Sequence, residues 1–350
     1  MKRKYAIFFA LLLCCTIVLT SCSNPLASIR EFFNKETETA ENTDATVNEQ
    51  QSLSEVIAVQ PENARPTVMY YKDSDNLLVP VMRYVSKSEL GIAKSTLSAL
   101  IYSPEKAEDL KQTGLKLTLP TGTKINGAVI KENGHAIVDF SKEFQNFTTK
   151  EAEEIGVKSV IYTLTEFANV KTVEIRVDGK TITELPQGTK LNAAMKRTEI
   201  NLQPSENKDD KLSKVMVYYQ KKGKANYSYF VPVTKLVSGT NNSVEAALMA
   251  LLEAPTAEHG LVNPFPEGTK LIEVKVNNGV AFVNFTEDVL KLQGNKSAER
   301  AMIKAVSLTL REFPTISKIK LFVNGTVVDN SDGVGANEYI NVPVFVNFYE

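Results

Sequence analysis

The sequence predicts an α+β fold built twice: two tandem homologous domains, each a mostly antiparallel sheet covered by two helices. Three observations predict it. Short segments recur in the same order at nearly constant offset, from 145 (133 to 278) to 152 (77 to 229). Stretches rich in β-branched and aromatic residues come in pairs separated by turn residues. Between those pairs lie apolar stripes of helical period.

The first pair is "TVMYYK" (67–72) and "LLVPVMRYV" (77–85), joined by "DSDN", and it returns as "VMVYY" (215–219) and "YFVPVTKLV" (229–237). Each reads as a hairpin. A helix follows, with Ser86 and Glu89 placed as a capping box, Leu90, Ala93, Leu97, Leu100 and Ile101 on one face, and Pro104 as its stop. The second copy offers Asn242 with Glu245, then Val244, Ala247, Leu248, Leu251 and Leu252. "LPTGTK" (119–124) and "FPEGTK" (265–270) are turns leading to a second hairpin through Asn133-Gly134 or Asn278-Gly279, a strong short hairpin signal. A second helix is expected to open at Thr148 with Glu151 and to turn Val157, Val160, Ile161, Leu164 and Phe167 inward, with "IKAVSLTLREF" (303–313) as its counterpart. A last strand, Thr172–Val177, turns at Asp178-Gly179 into a partner at Lys180–Thr183, and "KLFVNG" (320–325) repeats "EIRVDG" (174–179).

These repeats set the expected domains at 66–185 and 214–330, with a linker over 186–213 and a C-terminal extension over 331–350. Residues 1–21 read as a lipoprotein signal peptide. Lys2, Arg3 and Lys4 precede an apolar core at 5–20, shorter than the ~20 residues that span hydrocarbon. The segment ends in "LTSC", similar to a bacterial lipobox, so diacylglycerol is expected on the Cys22 thiol. The polar stretch 22–65 is expected to be a disordered tether, with a short membrane-surface helix over 26–33 as the alternative.

Composition narrows the function. Forty basic against 41 acidic residues leave a net charge of −1, without the basic stripe of a nucleic-acid protein. The cysteines number three. With Cys14 and Cys15 in the signal core and Cys22 acylated, no disulfide framework, catalytic thiol or thiolate metal site is expected. "NGHAIVDF" (133–140) sets His135 near Asp139, but the second copy has Val280 and Asn284 there. On a strand these two share the face opposite Ala136, Val138 and Phe140, so the shared feature is the apolar face. His259 has no counterpart in the first copy, and Glu151, Glu153 and Glu154 fall in the first turns of a helix, where they favour its dipole. "LPTG" (119–122) reads as a turn and "SDGVGANEY" (331–339) as a loop, since neither has the context of a sorting signal or phosphate loop. No catalytic, cofactor or metal site is expected, and the one expected site residue is Cys22.

Taken together, the lipobox, the tether and the paired motifs "FVPVTKLV", "LPTGTK"/"FPEGTK", "NGHAIVDF"/"NGVAFVNF" and "EIRVDG"/"KLFVNG" resemble the GerM family. Those are lipoproteins of endospore-forming bacteria with tandem GerMN domains, and the resemblance covers essentially the whole chain. It implies domains like the ring-building motifs of secretion systems. It also implies a non-catalytic role in sporulation and spore germination, and a place on the membrane between mother cell and forespore. The implied partners are the membrane through Cys22, envelope or channel-complex proteins, and further copies in a ring. The alternatives are an enzyme or accessory acting on cortex peptidoglycan, and a germinant-binding protein; the absence of Trp weakens the latter, although 16 Phe and 12 Tyr could still line a pocket.

Overall fold

The computed structural model describes residues 62–87, 91–204, 212–225, 227–238, 243–327 and 338–349. The stretch expected to be a signal peptide, most of the expected tether and Cys22 lie outside these residues, as do Glu89, Leu90 and Asn242. In the first copy, β1 (Ala64–Lys72) and β2 (Leu78–Ser86) form an antiparallel ribbon. Asp73 closes its turn, the Oδ1 accepting from the amides of Asp75 at 2.8 Å and Leu77 at 2.9 Å. Helices α1 (Ile92–Ser98) and α2 (Pro104–Asp109) follow. The second hairpin is β3 (Ile125–Ile130) and β4 (His135–Phe140), then come α3 (Lys150–Leu164), β5 (Thr172–Val177) and β6 (Lys180–Thr181).

The second copy repeats the order with β7 (Leu212–Lys222), β8 (Ser228–Ser238), α4 (Val244–Leu252), β9 (Leu271–Asn277), β10 (Val280–Phe285), α5 (Lys296–Arg311), β11 (Lys318–Val323) and β12 (Thr326–Val327). A last short strand, β13 (Ile340–Asn341), pairs with β11.

Each copy is α+β with a mostly antiparallel sheet, as expected. The sheets run β3-β4-β5-β6 and β9-β10-β11-β12, and in each the two central strands are parallel. That follows from connectivity, because a helix joins β4 to β5 and β10 to β11, and a crossover of that length returns the chain in the same direction. The ribbons β1-β2 and β7-β8 form separate sheets. Helix α3 packs against both β1 and β5, so it touches the ribbon as well as the sheet.

The apolar stripes fall where their period placed them. Leu97, Leu100, Val157, Val160, Ile161 and Leu164 are buried in the first copy, and Ala247, Leu248 and Leu251 in the second. The caps differ. Ser86 ends β2, and α1 starts at Ile92 with Gly91 at its N-cap position, so Ser86 is not the residue that caps α1. Thr149 caps α3, accepting from the Ala152 amide at 3.1 Å, in place of Thr148. Ser243 caps α4, accepting from Ala246 at 3.0 Å, in place of Asn242. Pro104 starts α2 behind the Ser103 cap, which suits proline because the first helical position needs no N–H partner.

The two copies join through their tails. After β6, Met195 pairs with Val173, just as Ile340 of β13 pairs with the equivalent Ile319. Each tail then runs on to the ribbons. Ile200 and Gln203 bond the backbone of Thr234 in the second ribbon, while Asn347 and Tyr349 bond that of Met82 in the first. Both ribbons are buried on two faces. In the first ribbon one face joins the main core, and the other forms a cluster of Val68, Tyr70, Leu78 and Met82 with Ile155, Tyr162 and Ile200, against Met216, Phe345 and Phe348. In the second, Tyr218 and Phe230 join the main core along with Val217, Tyr219 and Val231. Each fully buried apolar side chain of the cluster contributes about 1.5–3 kcal/mol.

Candidate functional site

The residues singled out by sequence separate in space. His135 Nδ1 lies 2.8 Å from Thr172 Oγ1 and its Nε2 3.2 Å from Glu174 Oε2. Glu174 also accepts from Arg176 Nε at 2.7 Å and Thr181 Oγ1 at 3.0 Å. These bonds, that from Arg176 foremost, hold the Glu174 carboxyl down at about 2. Asp139 serves elsewhere, accepting from the Gly179 amide at 2.8 Å. Its counterpart Asn284 accepts from the Gly325 amide at 2.9 Å. The two residues therefore hold the same hairpin turn in the two copies, and His135 and Asp139 do not act together. Glu153 is fully buried and accepts from the amides of Gln187 and Thr189 at 3.0 and 2.9 Å, so it pins a loop. His259 ends a short 3₁₀ turn, Ala257–His259. Among the described residues no group of three His, Cys, Asp or Glu could hold a metal ion, and no helix is long and apolar enough to cross a membrane.

The polar groups that do converge lie where the copies meet. Strands β2 and β8 pass each other with two asparagines between them. Asn201 accepts from Leu78 N at 2.9 Å and donates to Leu78 O at 2.8 Å and Pro232 O at 2.7 Å. Asn347 accepts from Phe230 N at 2.7 Å and donates to Phe230 O and Pro80 O, both at 2.8 Å. Leu78 and Pro80 stand 152 positions before Phe230 and Pro232, so the two clamps are related by a pseudo-twofold axis. Proline has no N–H to extend a ladder, and the asparagine amides take up its carbonyls. Asn201 adopts φ 47°, a left-handed conformation that asparagine tolerates better than most residues.

At one end of this seam Lys221, 8% exposed, bonds fully buried Asp73 at 2.6 Å and also reaches Asp75. Lys221 stands 148 positions after Asp73 in the repeat, so one site has diverged to opposite charges that meet across the axis. Elsewhere on the seam a cavity of about 280 Å³ opens between the copies, lined by Tyr70, Glu166, Arg197, Tyr218, Arg311 and Glu312 among others. Tyr70 Oη donates to Glu166 at 2.9 Å and Tyr218 Oη to Glu312 at 2.6 Å. Burial first, and the neighbouring glutamates second, push both phenols far above their ordinary value. Both stay protonated and act as hydrogen-bond donors.

Part of this site was visible in the repeat. The second tyrosine-rich position (Tyr70, Tyr218) and the glutamate of "TEF" and "REF" (Glu166, Glu312) recur in both copies as polar atoms inside apolar motifs. The asparagine clamp was hidden, because "EINL" (199–202) and "FVNF" (345–348) share little beyond asparagine.

Comparison with known proteins follows the same duplication. The profile of the family described as "Germane: Sporulation and spore germination" matches residues 68–183 and again 216–329. The spore germination protein GerM of Bacillus subtilis (strain 168) is 29% identical over 326 residues, covering 90% of this chain and 87% of that protein. The solved tandem GerMN domains of the sporulation protein GerM from Bacillus subtilis superpose with a TM-score of 0.70 at 29% identity, over 82% of this chain and 100% of that one. With both copies matched, the chain belongs to the Germane family and carries its domain in tandem.

Proposed function

We propose that this protein is a non-catalytic, lipid-anchored scaffold of sporulation and spore germination, held on the extracytoplasmic face of the membrane by diacylglycerol on Cys22. In this reading its two domains stabilise an envelope complex of the kind that links mother cell and forespore. The observation that carries the reading is the seam. Two copies of one domain are locked edge to edge by the Asn201 and Asn347 clamps and the Lys221–Asp73 pair, which spends the conspicuous polar groups on holding shape. The sheets, in contrast, end in edge strands β3 and β9, with Val129 at 60% and Val276 at 44% exposure. An edge strand with apolar side chains suits side-by-side assembly with further copies or with a partner protein.

The test is made in sporulating cells. Tagged protein is expected to fractionate with membranes and to recover envelope-complex components, and Cys22→Ala is expected to release it from the membrane and impair germination. Normal assembly of the envelope complex in a strain lacking the protein would overturn the scaffold. Fragments released from purified peptidoglycan by the full chain would replace it with an enzymatic role.

A further inference from the structure

The seam cavity is built symmetrically and then departs from symmetry at one place. In the first copy, Glu166 takes the Tyr70 hydroxyl and also the Arg197 guanidinium at 2.5 Å. Arg197 lies over the ring of Tyr162 at 4.9 Å as well, so it is held from two sides. In the second copy, Glu312 takes the Tyr218 hydroxyl on Oε1, but the tail positions matching Arg197 are Val342 and Pro343. Among the described residues, Glu312 therefore has no ion pair. Next to it, Arg311 replaces the Thr165 of the first copy. Its ionic contact is a 4.0 Å approach to Glu166, beyond hydrogen-bond reach, and it makes no side-chain hydrogen bond among the described residues.

The cavity thus presents a guanidinium and a carboxylate on consecutive residues at the C-terminal end of α5, both with free hydrogen-bonding capacity and both facing the same space. The four charges, those of Glu166, Arg197, Arg311 and Glu312, sum to zero. A site with no net charge and two separated poles fits a ligand of the same kind. A volume of about 280 Å³ lies just below the range of drug-sized ligand pockets, about 300–1,000 Å³, and so suits a small molecule. The planar fork of Arg311 matches a carboxylate, and the open oxygen of Glu312 accepts from an ammonium. Met216, Ile200 and Pro232 supply apolar wall for a short side chain.

We propose that this cleft binds a small zwitterion of the α-amino acid class, with its carboxylate on Arg311 and its ammonium on Glu312. The inference goes beyond the scaffold reading, because a scaffold needs no small ligand, and neither depends on the other.

The test is a titration of the full-length protein in detergent with glycine and L-alanine, beside propionate and propylamine, which each carry one of the two charges. The amino acids are expected to bind in the micromolar to millimolar range. Each single-charge analogue is expected to bind about tenfold or more weakly. Arg311→Met and Glu312→Gln are each expected to weaken the amino acids by about ten- to a hundredfold, with the melting temperature kept. Gln still accepts from Tyr218, so the glutamine variant tests charge without opening the seam. Absence of binding at about 10 mM amino acid would overturn the proposal. So would propionate binding as well as alanine, a comparison made on the unaltered protein, or affinity indifferent to both substitutions.

Discussion

At Asp139 and Asn284 a carboxylate and an amide perform one task, because the Gly179 and Gly325 amides need an acceptor oxygen and nothing more. Asp139→Asn is therefore expected to change stability by less than about 0.5 kcal/mol, whereas Asp139→Ala gives up the bond to the exposed turn amide and costs about 1 kcal/mol. Denaturant midpoints of the two variants decide the matter, and equal losses would contradict it. Glu174 behaves differently, since its charge matters. Held at about 2 against an ordinary 4.5, with Arg176 as the chief cause and His135 and Thr181 adding to it, the carboxylate is favoured in the folded state. Its contribution to stability is complete above pH 4.5 and is lost as pH falls towards 2. Glu174→Gln is expected to flatten this acid limb of a stability-against-pH curve, and an unchanged slope would show that other carboxylates carry it.

The element that shapes the molecule is the ribbon. Asp73 and Lys221 occupy the same place at the ends of β1 and β7, and the buried pair they form ties one ribbon to the other. Lys221→Met leaves Asp73 buried without its cation, and removing one partner of such a pair costs about 3–5 kcal/mol. Adding Asp73→Asn is expected to restore part of that loss, because the asparagine oxygen still accepts from the Asp75 and Leu77 amides. Urea unfolding of the two single variants and the double variant measures the coupling, and strictly additive losses would rule it out. The ribbons also show what sequence could reveal. Their pairing, the apolar stripes of α3 and α4 and the Asn-Gly turns were legible because each depends on a local period or a turn residue. The burial of both ribbon faces was legible in principle, since "TVMYY" and "LLVPV" are apolar without alternation, as a doubly covered strand requires. Helix caps shifted by a residue or more, because several Ser, Thr and Asn neighbours compete for each end and local packing decides among them. The seam cavity was legible only in part, because its tyrosine and glutamate positions recur in both copies, whereas Arg197 and Arg311 have no arginine counterpart and come from distant segments that the meeting of the copies brings together.

At the scale of the whole molecule, the chain is a duplicated domain that binds itself as two subunits of a twofold dimer would. Each tail leaves its own sheet and completes the other copy's ribbon, so the join is reciprocal. The exchange predicts that the two domains unfold together. Ending the chain at Val342 removes Phe345 and Phe348 from the seam cluster and strands the Phe230 amide and the Phe230 and Pro80 carbonyls. The Met82 amide and carbonyl lose their partners in Asn347 and Tyr349 as well. Water can reach the opened edge, so the penalty is less than full burial would impose, yet the partly buried Phe345 and Phe348 each give up apolar contact worth on the order of 1 kcal/mol. The truncated protein is expected to melt in two separate steps where the complete chain shows one. Its Met82 and Phe230 amides are expected to exchange with solvent at least about tenfold faster, since local opening of the ribbons no longer requires the tail to leave. Asn201→Ala in the truncated background removes the second clamp and is expected to move the steps further apart. A truncated chain that still melts in one step at the original temperature, with both amides protected as before, would show that the cores alone couple the two domains.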